Sequence, residues 1–480
     1  MSILYTKGLL HAKKSKLFSI IVTTFNNEAS IRNTIDSIVN QTLDNNFYEI
    51  VVVDDCSTDN TWSILQEYNH SNISLYRLDN STGGPSAPRN IGLKYASGKY
   101  VYFHDGDDWL HPDILKHIYD NKSWQKSDLI IGKVLKFKNG NTTIHAKFMS
   151  VNERINYQPL KIPYLFYYLG PAGKFIKTDL LKRNKIEFPT DSHFGEDKIF
   201  FMNVFRYAQK VTTTTKEVTF FDRSTDNHSI VRSTDFIEKR RSDYKLFEEI
   251  LSIKDKKIKE AFMLRVLEYD LLNNCNSHVF LKLSVEDKAK VFEIIKSIYT
   301  HKSVSKKLIK RIDSKYLEPI NAIFNDDLEK FIDFFRWYKT QAKLLKKGKK
   351  FELIQTDYNN QFQVEVPYAS LLNLQAFNNR VILQINIFNV REKQIKSVLI
   401  ESRNEYSSSI ELTDFSYLNG VISIEIPKSV YTNLSKGLYN ILVVYDEYKA
   451  INIKYGFTKE VEDLKFYPTI NGNLSIKKLK

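Results

Sequence analysis

The first half of the chain alternates short apolar runs with segments in which apolar residues recur every three or four positions. The runs predict buried β-strands and the intervening segments predict amphipathic helices, so the pattern indicates an α/β sheet. Between the first two strands, Ile31, Ile35 and Ile38 share one helical face, and Ser30 is the predicted N-cap. The predicted strands are residues 18–22, 48–53, 73–78, 100–104, 128–134 and 173–176.

The pattern changes near residue 236. Helical spacing now dominates, and a Lys-rich segment at 343–350 precedes short alternating runs that are separated by turn residues. The predicted helices are residues 236–250, 256–272, 285–299 and 326–345. We therefore expect four parts: an N-terminal tail (1–16), an α/β domain (17–235), a helical region (236–350) and a β-sandwich-like domain (351–480).

Acidic and glycine-rich segments come directly after several predicted strands. Asp54 and Asp55 follow the second strand, a turn at 81–85 follows the third, and Asp105-Gly106-Asp107-Asp108 follows the fourth. The carboxyl ends of parallel strands meet at one edge of an open sheet, and ligands bind there. Two carboxylates at positions i and i+2 suit Mg²⁺ or Mn²⁺ and the phosphates that such a cation carries. A solvated acidic turn is the alternative.

The composition narrows the class of partner. A formal net charge of +14 favours a polyanion, such as a phosphate-containing polymer or an anionic membrane surface, although a Lys-rich surface could simply maintain solubility. The sequence has no zinc-finger spacing or aromatic RNA-binding pattern, so no nucleic-acid partner is expected. Two distant cysteines and the lack of a long apolar stretch predict a soluble cytoplasmic protein, with peripheral contact at the inner face of the plasma membrane left open.

Five short motifs occur in a fixed order within residues 17–230. They are residues 18–26 (FSIIVTTFN), 53–59 (VDDCSTD), 88–93 (PRNIGL), 103–108 (FHDGDD) and 195–197 (GED). Together they resemble the family 2 glycosyltransferases, which are inverting enzymes with a Rossmann-like GT-A fold that use nucleotide-sugars and a divalent metal. The segment SAPRN, the Glu-Asp pair and the trailing β-rich region are further similar to the wall teichoic acid poly(ribitol-phosphate) glycosyltransferases of Gram-positive bacteria.

The resemblance implies a role for each motif carboxylate. Asp107 would be a direct ligand of Mn²⁺ or Mg²⁺, and Asp105 would contact the ribose hydroxyls and the water shell of the metal. Asp55 would accept the N3–H of uracil, a donor that cytosine lacks. Asp197 would be the base that takes the proton from the acceptor hydroxyl, and a helix N-terminus would keep it ionised. Asp108 is expected to cap the helix that follows it.

Four further residues are carried over from the resemblance. Thr23 and Asn80 would line the nucleotide pocket, and Arg89 would recognise the phosphate or the base. His228 would complete the metal shell or contact the diphosphate from a mobile lid. The alternatives are that Arg89 only supports its loop and that His228 is an ordinary surface histidine. The Glu196-Asp197 pair could likewise be an ordinary acidic first helical turn.

The leading functional hypothesis is therefore a transferase that moves a sugar, N-acetylglucosamine, from a UDP donor to hydroxyls of an anionic cell-wall polymer such as poly(ribitol phosphate) teichoic acid. A capsule, exopolysaccharide or glycolipid glycosyltransferase is the second hypothesis. A non-catalytic scaffold that binds sugar-nucleotides or polymer is a hypothesis from another class. The resemblance also favours homo-oligomerisation through the C-terminal domain.

Overall fold

The computed structural model describes residues 3–7, 16–138, 140–150, 152–191, 194–222, 234–355 and 362–479. The chain divides into two compact units. The first comprises Met1–Asn139, Ile144–Cys275 and Lys282–Ile312, and the second comprises Gly140–Thr143, Asn276–Leu281 and Asp313–Lys480. The four-part division expected from the sequence stays a prediction.

A mixed sheet forms the centre of the first unit, in the order β1-β4-β3-β2-β5-β10-β7-β11-β6. Strand β2 is parallel to both β3 and β5, β3 is parallel to β4, and β7 is parallel to β11. The strands of this part of the chain are β1 Ile3–Lys7, β2 Phe18–Thr24, β3 Tyr48–Asp54, β4 Ile73–Leu78, β5 Tyr100–Asp105, β6 Trp109–Leu110, β7 Leu129–Lys138, β8 Asn141–His145, β9 Arg154–Tyr157, β10 Lys174–Lys177 and β11 Val211–Asp222.

Helices connect these strands and continue beyond them. The helices before residue 208 are α1 Ile31–Val39, α2 Thr61–Gln66, α3 Ser86–Tyr95, α4 Ile114–Asp120, α5 Thr178–Asn184 and α6 Glu196–Tyr207. Those that follow are α7 Phe236–Leu251, α8 Lys256–Leu264, α9 Asn273–Cys275, α10 His278–Lys282, α11 Val285–Tyr299, α12 Lys306–Ile309, α13 Leu317–Phe324 and α14 Leu328–Arg336. Two π-helical segments, Arg265–Leu272 and Trp337–Gln341, extend α8 and α14. None of the helices in the described parts of the chain combines the length and apolar character needed to cross a bilayer.

The burial and register of the central strand β2 show how the sheet is covered and at which edge the acidic segments leave it. Every residue of β2 is buried, as expected for a parallel strand that is covered on both faces. Thr23 lies opposite Val53 on β3 and opposite Asp105 on β5. The carboxyl ends of the three strands are therefore level, and the acidic segments that follow β3 and β5 leave the sheet at one edge.

Helix α3 lies unusually close to this sheet. A Cβ atom added to Gly92 would lie 2.2 Å from Cγ2 of Ile21 on β2, so only glycine allows the helix to approach the strand this closely. The glycine in the motif of residues 88–93 thereby fixes the depth at which α3 packs on the sheet.

The structure confirms the predicted strands of the sheet but adds β1, β6, β8, β9 and β11, which the sequence pattern did not reveal. The longest of these is β11. This strand begins with Val211 and a run of four threonines, which reads as polar. Thr212, Thr213 and Thr214 are nevertheless fully buried. Their hydroxyls bond to Ser127, to the carbonyl of Asn152 and to Glu153 respectively, so burial leaves them satisfied. β-Branched threonine also suits a strand.

One local prediction was confirmed in position only, and another was wrong. Ser30 occupies the N-cap position of α1, but its side chain makes no capping hydrogen bond, and its hydroxyl donates to the carbonyl of Gly106 at 3.0 Å. The helix predicted for 326–345 ends at Gln341, and Lys343–Lys347 forms a strand. All five residues of that strand are exposed, so the apolar residues in this segment do not support a buried helical face.

The second unit contains a β-sheet domain, as expected for the C-terminal region. Its main hydrogen-bonded path runs β19-β20-β16-β15-β22-β21-β25-β24-β23, while β12, β13 and β14 form a smaller sheet. Alternate residues of β16 and β20 enter one apolar core with residues of β21, β22 and β24. The strands are β12 Lys343–Lys347, β13 Lys350–Ile354, β14 Gln363–Glu365, β15 Tyr368–Phe377, β16 Arg380–Phe388, β17 Ile395–Ser402, β18 Ile410–Leu412, β19 Phe415–Leu418, β20 Val421–Pro427, β21 Leu438–Tyr445, β22 Lys449–Lys454, β23 Lys459–Val461, β24 Leu464–Pro468 and β25 Leu474–Lys478, with helix α15 at Lys428–Thr432.

Candidate active site

The acidic turn after β5 is held against the start of α1. The carbonyl of Gly106 accepts hydrogen bonds from the hydroxyls of Ser30 and Thr34, each at 3.0 Å. A Cβ atom on Gly106 would lie 2.9 Å from both Thr24 Oγ1 and Asn27 Oδ1, which leaves no room for a side chain. The turn is therefore fixed in place, and Asp105 and Asp107 flank it as partly buried residues.

Asp108 does not cap the next helix, contrary to the prediction. It is buried, and Trp109–Leu110 after it forms the short strand β6, which pairs with β11. The next helix, α4, begins only at Ile114, with Asp113 at its N-cap position. The sequence expectation failed because Trp109 and Leu110 join a strand that lies far away along the chain.

The two aspartates after β3 have different surroundings. Asp54 is fully buried, accepts hydrogen bonds from the Ser57 backbone and hydroxyl, and pairs with Arg77 at 3.4 Å. These contacts give it a structural role. Its neighbour Asp55 is also buried and accepts from the Thr82 N–H at 3.0 Å and from the Ser81 hydroxyl at 3.1 Å.

Asp55 thus fastens the loop after β4 to the end of β3. Burial raises the pKa of its carboxyl, while the hydrogen bonds from Thr82 and Ser81 act in the opposite direction. Asn80 is exposed and Thr23 is buried, and both lie at this edge of the sheet. The role of the three residues in nucleotide binding stays a prediction.

Arg89 connects two candidate carboxylates that are distant in sequence. Its Nη2 lies 2.8 Å from Asp105 Oδ1, and its Nη1 lies 3.4 Å from Glu196 Oε1. The guanidinium is almost fully buried, and its Cζ lies 5.1 Å from the centre of the Phe188 ring. This single side chain therefore joins the acidic turn after β5 to the first turn of α6.

The residue after Arg89 fixes the same junction. The Asn90 side-chain amide donates to the Phe188 carbonyl, and its oxygen accepts from the Phe188 N–H, each at 2.8 Å. Arg89, Asn90 and Gly92 in the motif of residues 88–93 consequently position α3 by two ion pairs, two side-chain hydrogen bonds to the Phe188 backbone, and close packing.

Glu196 and Asp197 form the first turn of α6, after Gly195 in a left-handed conformation at φ +83°. Burial raises the pKa of Glu196 to about 7, aided by the Asp197 charge and opposed by Arg89. Burial also raises the pKa of Asp197, although Arg89 and Lys198 act in the opposite direction. The helix N-terminus was expected to keep Asp197 ionised, but burial has the larger effect on its pKa and acts in the opposite direction. A raised pKa suits a general base that works near neutral pH.

The carboxylates at the acidic turn supply only part of the ligand set of a hard divalent cation. Asp105 and Asp107 supply two oxygen groups at positions i and i+2, and about 40% of the Asp105 side chain is exposed. The described residues contain no group of three or more His, Cys, Asp or Glu side chains arranged to hold a metal. Mg²⁺ is often bound by one or two carboxylates plus substrate phosphates, and this donor set fits that pattern. His228 lies outside the described residues.

Sequence reasoning missed several residues of this site. Glu196 was read only as part of an acidic turn, and Lys198, Ser81 and Thr82 were not singled out. A signal existed for Glu196, because two adjacent carboxylates at a helix start repel each other unless a cation such as Arg89 lies nearby. The partners of Lys198 could not be inferred, because Asp243 and Asp270 lie on helical segments that are distant in sequence.

An α/β sheet in which β2, β3 and β5 are parallel and acidic groups follow the carboxyl ends of β3 and β5 has the architecture of nucleotide-binding α/β proteins. Residues 19–184 match the family described as Glycosyl transferase family 2. The poly(ribitol-phosphate) beta-N-acetylglucosaminyltransferase TarP of Staphylococcus aureus is 34% identical over 226 residues, which make up 46% of this chain and 68% of TarP. The chain belongs to glycosyl transferase family 2.

Other relatives match over different lengths. The poly(ribitol-phosphate) beta-glucosyltransferase of Bacillus spizizenii is 38% identical over 40% of this chain, and S. aureus TarS, a poly(ribitol-phosphate) beta-N-acetylglucosaminyltransferase, is 28% identical over 73%. The chain spans only 30% and 60% of the length of these two relatives. A crystal structure of S. aureus TarS matches with a TM-score of 0.60 at 20% identity, covering 97% of this chain and 85% of that chain, which supports the fold.

We expect Glu196 to make stability depend on pH. Its pKa of about 7 in the folded protein lies above the ordinary value of 4.5, so the stability that its neutral form provides at low pH is lost as pH rises through 7. In Glu196→Gln the group stays neutral. The unfolding free energy of the variant relative to the wild type should therefore rise between pH 4.5 and pH 7.5, by on the order of 2 kcal/mol.

Urea denaturation at the two pH values measures this difference. The control is Glu187→Gln, since Glu187 is exposed nearby and its substitution should leave the pH dependence of stability unchanged. A constant difference between Glu196→Gln and wild type at both pH values would contradict the expectation.

Proposed function

We propose that this chain is an inverting glycosyltransferase that moves N-acetylglucosamine from a UDP donor to hydroxyls of an anionic cell-wall polymer such as poly(ribitol phosphate). Membership of glycosyl transferase family 2 supports the reaction class. The similarity to TarP and TarS, which are poly(ribitol-phosphate) beta-N-acetylglucosaminyltransferases, supports the donor sugar and the acceptor. The formal net charge of +14 favours a polymer that carries phosphates.

The bridge made by Arg89 is the observation that carries the proposal. It links Asp105, which we assign to the donor side, to Glu196 beside Asp197 through one buried guanidinium. A transferase needs its donor-binding group and its acceptor base at such a fixed separation, because proximity and orientation supply much of the rate.

Asp197 is the base in this proposal. An acceptor hydroxyl attacks the anomeric carbon from the face opposite the diphosphate, and Asp197 takes the hydroxyl proton as the new bond forms. The raised pKa of Asp197 brings its proton affinity closer to what this step requires. Glu196 beside it is paired with Arg89 and is therefore less available for this role.

The nucleotide would bind along the edge formed by β2, β3 and β5. Asp55 would accept the uracil N3–H, since its position at the end of β3 and its burial suit recognition of a base edge. Thr23 and Asn80 would line the same pocket, Arg89 would contribute positive charge near the phosphates, and Asp105 would accept from the ribose hydroxyls.

Asp107, with Asp105, would hold Mn²⁺ or Mg²⁺, and His228 would be a further ligand. A divalent cation in this place supplies charge neutralisation for the departing diphosphate. The two carboxylates flank Gly106, whose close packing and hydrogen bonds to α1 hold the turn in place.

We expect Asp197→Asn to lower sugar transfer by at least about a thousandfold, because the amide cannot accept the proton. UDP release from UDP-N-acetylglucosamine in the presence of poly(ribitol phosphate) measures transfer, and calorimetry with UDP measures nucleotide binding, which should be retained. The control is Asp179→Asn, which removes an exposed carboxylate paired with Arg183 on α5 and should leave transfer intact. Turnover by Asp197→Asn at the wild-type rate would refute the assignment of the base.

Removal of divalent metal should also abolish transfer. We expect a chelator to lower the rate to background and Mn²⁺ or Mg²⁺ to restore it, with Asp107→Asn requiring at least about tenfold more metal for half-maximal rate. Asp120→Asn, which alters an exposed carboxylate on α4 that is paired with Lys116, is the control. An unchanged rate in chelator would contradict the metal assignment.

We also propose that residues 351–480 mediate self-association. We further propose that the protein makes peripheral contact with the cytoplasmic face of the membrane. Exposed apolar side chains in this region support an interface: Leu372, Phe377, Leu418 and Phe457 are each more than half exposed. Light scattering of the full chain should give a multiple of 56.2 kDa, and a chain ending after Gln341 should give a monomer. A monomeric full chain would contradict the proposal.

A further inference from the structure

Five charged side chains form one connected cluster behind the candidate base. Lys198 Nζ lies 2.6 Å from Asp243 Oδ1 on α7 and 3.4 Å from Asp270 Oδ1 in the first π-helical segment. Arg240 Nε lies 2.7 Å from Asp243 Oδ2, and Arg265 pairs with the other oxygen of Asp270. The Lys198 side chain is 17% exposed, and each of the other four side chains is at most 4% exposed.

The π-helical geometry helps to build this cluster. Arg265 and Asp270 are five positions apart, and both lie in the segment Arg265–Leu272. A π-helix makes i to i+5 hydrogen bonds, so residues at this separation lie on adjacent turns, and such segments often occur at functional sites. The segment is also tied to the loop before β10, since Arg265 Nε donates to the Tyr167 carbonyl at 3.3 Å.

The charges of the cluster do not balance by themselves. Arg240 with Asp243 and Arg265 with Asp270 are two complete ion pairs, and together they are neutral. Lys198 adds one positive charge to this neutral group. A surplus charge in a buried place is costly unless an opposite charge lies close to it. The carboxylate of Asp197 is the adjacent side chain, and its Oδ1 accepts the Lys198 backbone N–H at 2.8 Å.

Helix α7 holds the turn that carries Asp197 at both ends. Before Asp197, a Cβ atom on Gly195 would lie 1.9 Å from the Ser242 hydroxyl, so this glycine touches α7. After Asp197, Lys198 pairs with Asp243, the residue next to Ser242. Adjacent residues of α7 thus contact the residues on either side of the Glu196-Asp197 pair.

We propose that Lys198 is a positioning residue for the proton-removal step, which holds Asp197 by anchoring the first turn of α6 to α7 and to the π-helical segment and supplies the positive charge that balances the Asp197 carboxylate. This inference rests on the proposed role of Asp197 as the base. It assigns a function in catalysis to a lysine that does not itself contact the donor side of the site.

Several charged groups surround Asp197 and define the expected pH effect. Glu196 and Lys198 come from α6, Arg89 from α3 and Arg265 from the π-helical segment. Lys174 on β10 and Tyr168 also interact electrostatically with Asp197. The centre of the Tyr168 ring lies 3.7 Å from Lys174 Nζ. Lys198 opposes the effect of burial on the pKa of Asp197, so its removal should raise that pKa further. A base with a higher pKa loses its ionised form at a higher pH.

The test compares Lys198→Met, which removes the charge, with Lys198→Arg, which keeps it. In Lys198→Met we expect kcat to fall by about tenfold or more and the acid limb of the pH profile of kcat/KM to move upward by about one pH unit. The KM for UDP-N-acetylglucosamine should stay within about twofold of the wild type, because the donor groups are unaltered. Lys198→Arg should restore most of kcat and the wild-type acid limb.

The matched control is Lys245→Met, which breaks an ion pair of the same length between α7 and Asp191 and should change neither kcat nor the pH profile. Thermal unfolding checks that the variants fold, and Lys198→Gln carries the same pH test if Lys198→Met does not fold. If the uncharged Lys198 variant keeps the wild-type kcat and acid limb, the role of Lys198 is overturned. If Asp197→Asn is inactive in the same experiment, the proposed base still stands. An active Asp197→Asn would overturn both.

Discussion

The candidate site depends on one buried guanidinium. Arg89 holds Asp105 at 2.8 Å and Glu196 at 3.4 Å, and these two carboxylates belong to segments that approach each other only in the folded chain. A buried arginine requires opposite charge, and two buried or half-buried carboxylates require a cation. The three groups therefore stabilise one another, and loss of Arg89 would leave both carboxylates without their cation at the junction of α3, β5 and α6.

The geometry of the site follows from close backbone approaches around this ion-pair system. Gly92 brings α3 onto β2, Gly106 lets the acidic turn pack against the start of α1, and Gly195 brings the first turn of α6 against α7. Each position lacks space for a Cβ atom. The carboxylates are thus carried on rigid segments, which is the condition for electrostatic preorganisation.

The sheet and its acidic edge could be predicted because their signals are local. Strand β2 contains the apolar run Ile20-Ile21-Val22, and the aspartates after β3 and β5 follow directly in sequence. Strand β11 escaped prediction because its buried threonines look polar until their partners, such as Ser127 and Glu153, are known. Asp108 was misread for a related reason, since Trp109 and Leu110 pair with a strand more than a hundred residues away.

The α/β class, the order of the motifs and the candidate site residues Asp55, Asp105, Asp107 and Asp197 could all be predicted from the amino-acid sequence. How these groups are held is visible only in the folded chain: Arg89 lies between Asp105 and Glu196, Asp55 binds the Ser81-Thr82 loop, and Lys198 belongs to a cluster drawn from α6, α7 and a π-helical segment. The physical reason is that periodicity and motifs report on neighbours along the chain. Buried charges, in contrast, are balanced by partners that folding brings from distant positions.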